Sequence, residues 1–189
     1  MLQRCRQFFM TLQIRAAFLT LIFYTFSATF CDGQKMNFHC IEKYKKSDNT
    51  EDSIIIQTCF LNAYKFVTTS YPDYKGRYTY SEHKVFVLKN HKYLDITNSE
   101  VFNGKQNSLV KIINEKIQKD FKDFSADGNT KDCFTGIDSI PTYKMDDLGI
   151  SFYGNEIWFE VNWDLSSACT SVNGTIVSFK INEIKKYLK

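Results

Sequence analysis

One long segment of this chain has the period of a helix, while most other patterned segments have the period of a strand. Between residues 108 and 124, Leu109, Ile112, Ile113, Lys116, Ile117, Phe121 and Phe124 recur three and four apart. That spacing lays a single apolar stripe along an amphipathic helix of about 17 residues. Asn107 or Ser108 is placed to cap its start, and the run Ala-Asp-Gly-Asn at 126–129 to end it.

The flanking segments read as strands. Residues 35–46 alternate loosely, and 53–71 are rich in β-branched and aromatic residues, which predicts one long strand with room for a bulge. Residues 72–76 have turn chemistry, and 47–52 form a polar turn. Further strands are expected over 77–90 and 91–96. Segments 148–153 and 156–163 flank Gly154–Asn155 as a hairpin. In the second of these, Ile157, Phe159, Val161 and Trp163 point one way, and Trp158, Glu160 and Asn162 the other. A last strand is expected at 175–181, then a short helix over 182–189 with Asn182 as its cap. One helix covers only one face of an antiparallel sheet. The expected class is therefore α+β: an antiparallel β-sheet, one long amphipathic helix packed on one face and a short C-terminal helix.

The 189 residues suit one domain behind a leader. Arg4, Arg6 and Arg15 form a basic region ahead of an uncharged, mostly apolar run of 15 residues at 16–30. A membrane span needs about 20 such residues, so the run reads as the core of a signal peptide over 1–33. The cleavage site is not fixed. The domain is then 34–189, secreted or periplasmic. After cleavage no membrane partner is expected unless Cys31 is lipidated; a lipid anchor there or a retained N-terminal anchor are the alternatives. Cys31 follows Phe30, where a lipidation signal wants a small residue.

Residues 1–33 hold three arginines and one aspartate. Removing them lowers the 24 Lys+Arg to 21 and the 21 Asp+Glu to 20, a net of +1. A balanced body offers no electrostatic footprint for nucleic acid, so none is expected as partner. Cys40, Cys59, Cys133 and Cys169 in an exported chain read as two disulfides. Three connectivities exist, and local closure favours Cys40–Cys59 with Cys133–Cys169. A metal site is not expected: no CxxC occurs, and His39, His83 and His91 are scattered.

The aromatic and acidic stretch at 145–164 invites a search for chemistry. Glycoside hydrolysis needs two carboxylates across one cleft. Glu156 and Glu160 share a strand face about 13 Å apart, at roughly 3.3 Å per residue. Asp146 and Asp147 precede Leu148-Gly149 and read as turn residues. No GxSxG occurs, and His83 and His91 read as surface histidines. Residues 104–108 open a helix without the spacing of a phosphate loop. The Asn-Gly-Thr at 173–175 fits a glycosylation sequon. No catalytic residue and no cofactor are assigned. The candidate binding residues are Trp158, Glu160 and Asn162.

Three stretches carry a family resemblance. Residues 92–117 lead a strand into a turn and an amphipathic helix, 143–155 form a glycine-containing strand, and 174–188 a closing strand and helix. They resemble the extracytoplasmic domain of unknown function shared by a lysozyme-sensing anti-sigma factor and the non-catalytic part of some peptidoglycan deacetylases. The resemblance spans residues 55–188. The family's proline-tyrosine after the penultimate strand is replaced here by residues 164–172. The resemblance implies an α+β domain that binds a protein or a cell-wall glycan outside the membrane. The expectation is a non-enzymatic binding or sensor-type domain. A wall-polysaccharide enzyme using Glu156, Glu160 or Asp164, or a secreted hydrolase inhibitor, are its alternatives.

Overall fold

The computed structural model describes residues 36–46, 53–72 and 78–189. The expected leader at 1–33, Cys31, the turn at 47–52 and most of the 72–76 loop lie outside these residues. Asn37–Lys189 forms one compact unit.

The fold is α+β, with its strands divided between two antiparallel sheets. The first is a five-stranded meander of β1 (Phe38–Lys46), β2 (Ser53–Leu61), β3 (Tyr64–Pro72), β4 (Tyr78–Lys89) and β5 (Lys92–Ile96), in sequence order. The second joins β6 (Gly149–Tyr153), β7 (Glu156–Val161) and β8 (Thr175–Lys180). The long helix α1 spans Gln106–Ala126, and α2 is a single turn at Ile181–Ile184 continued by a tighter turn at Lys185–Tyr187.

The segment expected as one long strand is two. The chain reverses at Asn62–Ala63, where Asn62 adopts φ 54°, a left-handed conformation that asparagine tolerates. Both arms are rich in β-branched and aromatic residues, so the composition hid the turn. Neither helix is capped as expected. Lys105 stands at the N-cap of α1, and Ser108 Oγ donates to its carbonyl at 2.8 Å. Lys180, not Asn182, caps α2, and its N–H donates to the Glu183 carboxylate at 3.1 Å.

The core lies between the inner face of the first sheet, the second sheet and α1. Leu61, Phe66, Val85, Ile150, Phe152, Ile157, Phe159 and Val177 are all buried. Each such side chain contributes about 1.5–3 kcal/mol. Phe152 of β6 reaches the first sheet, with its ring 5.0 Å from Phe66 and 5.2 Å from Phe38. On α1, Leu109, Ile113, Ile117 and Phe121 are buried, while Ile112 of the expected stripe turns outward. The helix covers the Phe159 face of the second sheet. Lys116 Nζ lies 4.5 Å from the Phe179 ring centre, and Thr175 Oγ1 donates to Asp120 at 2.5 Å. Trp163 is met edge-on by Phe121, Phe124 and Phe134, at 5.6 to 5.9 Å between ring centres.

Both disulfides join the pairs that local closure favours. Cys40–Cys59 links directly opposed residues of β1 and β2. Cys133–Cys169 ties the short helical turn at Lys131–Phe134 to that at Ser167–Val172. Buried Asn114 fastens the intervening segment to α1. Its amide donates to Val110 O and Tyr143 O at 2.9 and 2.8 Å, and its carbonyl accepts from Tyr143 N at 2.8 Å.

Candidate functional site

The hairpin β6–β7 forms as expected around Gly154–Asn155, with Gly154 at φ 56°. Ile157, Phe159, Val161 and Trp163 are buried, while Glu156, Trp158 and Glu160 are half-buried on the opposite face. Cross-strand register adds Gly149, Ser151 and Tyr153 to that face. The Tyr153 and Trp158 rings stack with centres 5.1 Å apart at 28°, and Tyr153 is 68% exposed. Trp158 Nε1 donates to Glu156 Oε2 at 3.2 Å.

Glu160 is not a free solvent-facing acid. Ser151 Oγ donates to its Oε1, and its Oε2 lies 3.7 Å from Nε2 of His83 on the first sheet. That contact is an ion pair only when the imidazole is protonated. His83 is correspondingly no simple surface histidine, since its side chain is only 16% exposed. Its Nδ1 lies 3.3 Å from Ile150 O and 3.4 Å from Thr68 Oγ1. A carbonyl only accepts, so the Ile150 contact is a hydrogen bond in the tautomer that carries its hydrogen on Nδ1. The Thr68 hydroxyl donates to the same carbonyl at 3.5 Å. The ring packs on Gly149, where a side-chain carbon would stand 2.6 Å from His83 Cδ2. Four separate strands, β3, β4, β6 and β7, thus bring together Thr68, His83, Ser151 and Glu160. A groove of about 350 Å³ opens beside the imidazole, lined by Ser81, Glu82, Asp147 and Gly149 among others.

Of the three candidate binding residues, the structure unites Trp158 and Glu160 on one face. Asn162 lies beyond the end of β7, and its Oδ1 accepts from Asp164 N at 2.8 Å, closing a local turn. The acids at 146 and 147 also serve turns. Asp146 accepts from Ser99 N and Oγ at 2.6 and 2.9 Å, and Asp147 from Lys144 N at 2.7 Å.

Two features bear on chemistry. A nucleophile–base pair requires the hydroxyl to face the imidazole. Ser151 instead faces Glu160, and Thr68, which faces the imidazole, is buried. Among the described residues, no three or more His, Cys, Asp or Glu side chains gather as for a metal ion. Sequence reasoning missed His83 because its partners lie 67 and 77 positions away, at Ile150 and Glu160. The one local hint is the glycine that opens β6. Neither a protein-family model, nor a curated protein, nor a solved structure matches the chain.

Proposed function

We propose that the chain is a non-catalytic binding domain that works outside the cytoplasmic membrane and recognises a cell-envelope glycan through the outward face of β6 and β7. The observation that carries this reading is the Tyr153–Trp158 stack, Tyr153 exposed and Trp158 half-buried, flanked on its own face by Glu156 and Glu160. Aromatic ring faces accept the apolar face of a pyranose, and carboxylates accept its hydroxyl hydrogens. The Ser151 and His83 contacts hold Glu160 in place before a ligand arrives, which lowers the ordering cost of binding.

A second reading, hydrolysis assisted by Glu160, has one observation in its favour: the imidazole beside that carboxylate. Titration calorimetry with wall-glycan oligosaccharides, combined with mass analysis of the products, separates the two. The binding domain loses about tenfold or more in affinity on Trp158→Ala, as aromatic anchors do, and leaves the oligosaccharide intact. Cleavage that disappears on Glu160→Gln establishes the hydrolase. Unchanged affinity on Trp158→Ala removes the site.

A further inference from the structure

We propose that one end of the five-stranded sheet, the tip of the β4–β5 hairpin with the adjoining β2–β3 turn, rests on an anionic lipid surface. This inference is independent of the glycan reading.

The tip is apolar and basic at once. Leu88, Tyr93 and Leu94 are 43%, 41% and 47% exposed. Residues 84–94 include Lys84, Lys89 and Lys92 and no acid; Asp95 follows. Beside the tip, Lys65 Nζ sits 4.1 Å from the Phe86 ring centre and 4.5 Å from that of Tyr93. Exposed leucine and tyrosine among lysines suit the boundary between headgroups and acyl chains. The apolar groups enter, and the ammonium groups meet lipid phosphates.

The topology supplies a second argument. Phe38 pairs with Leu61, Leu61 with Tyr64, Tyr64 with Val87, and Val87 with Leu94. Asn62 N donates to Asn37 O at 2.9 Å, and Leu88 N to Ala63 O at 2.8 Å. The chain therefore enters β1 at the same end of the sheet as the hairpin tip. In the sequence, the apolar run at 16–30 stands seven residues ahead of Phe38. Seven residues reach about 25 Å at most. Any membrane attachment in that run, or at Cys31, would hold this end of the sheet against the bilayer.

The test uses the compact unit Asn37–Lys189 with both disulfides formed, which removes the apolar run as a source of binding. Co-sedimentation is measured with vesicles of phosphatidylcholine alone and with about one-third phosphatidylglycerol. The expected result is binding to the anionic vesicles only. Lys89→Gln with Lys92→Gln lowers the partition about thirtyfold, at about 1 kcal/mol per lysine. Lys45→Gln with Lys46→Gln, the same charge change at the opposite end of β1, leaves it unchanged. All four lysines are exposed, and circular dichroism verifies the fold of each variant. The proposal fails if the anionic vesicles do not bind, if neutral vesicles bind equally, or if both lysine pairs weaken binding alike. It also fails if the unit is a dimer that Leu88→Ser with Leu94→Ser makes monomeric, because the tip would then be an interface between copies.

Discussion

The His83 imidazole rests on Gly149, so closely that a side-chain carbon there would stand 2.6 Å from Cδ2 and 2.7 Å from Nε2. This contact lets a residue of the first sheet reach a carboxylate of the second. Gly149→Ala should displace the ring and destabilise the protein by about 1–3 kcal/mol, as overpacking does. In the His83→Ala background the same change should cost almost nothing. Urea denaturation of the four proteins of this cycle checks the coupling. Equal costs in both backgrounds would mean that the ring does not depend on the glycine.

Asn114 satisfies both backbone groups of Tyr143 from within α1. Asn114→Ala strands these partly buried groups and should cost about 2–3 kcal/mol. Hydrogen exchange at Tyr143 N should accelerate before that of the helix. Protection unchanged at Tyr143 would remove the clamp.

β1 is an edge strand whose side chains after Phe38 are all exposed. Besides its ladder with β2 and the Cys40–Cys59 bond, it is held by the His39–Phe60 stack at 4.7 Å and the Phe38–Phe152 contact. Cys40→Ala with Cys59→Ala should lower global stability by about 3 kcal/mol, with the largest gain in amide exchange confined to β1. Exchange rising evenly through the first sheet would show that β1 is instead part of its cooperative core.

Alkaline pH should weaken the fold. Burial, assisted by the Glu100 charge, raises the Tyr64 pKa above 10.0. Burial, with Asp164 and Asp147, does the same for Tyr143. Above pH 10 the unfolded chain releases these protons while the folded protein retains them. The stabilisation is thus full below pH 10 and is lost as pH rises through the folded values. Tyr64→Phe with Tyr143→Phe should flatten the decline of the unfolding free energy above about pH 10. A decline as steep as in the parent would assign the alkaline weakness to other groups.

Much of the architecture was legible because it follows from local periods. The alternation at 156–163 placed Ile157, Phe159, Val161 and Trp163 inside, and α1 forms where Leu109, Ile113, Ile117 and Phe121 recur. The turn at Asn62 was not legible, since an asparagine between two β-rich runs suits a bulge as well as a reversal. Asn162 was placed by parity on the face of Glu160, but parity holds only while the strand lasts. Its side chain turns to Asp164 N instead.

The sequence by itself determined which faces are apolar, where the helix lies, and which cysteine pairs close locally, because each is set by neighbours a few residues apart. Tertiary structure alone decided that the strands separate into two sheets, that His83 meets Glu160, and that His83 and Thr68 meet the Ile150 carbonyl. Such contacts depend on how two sheets approach, and on a glycine small enough to admit a ring, across more than sixty residues of intervening chain. No local period encodes that distance.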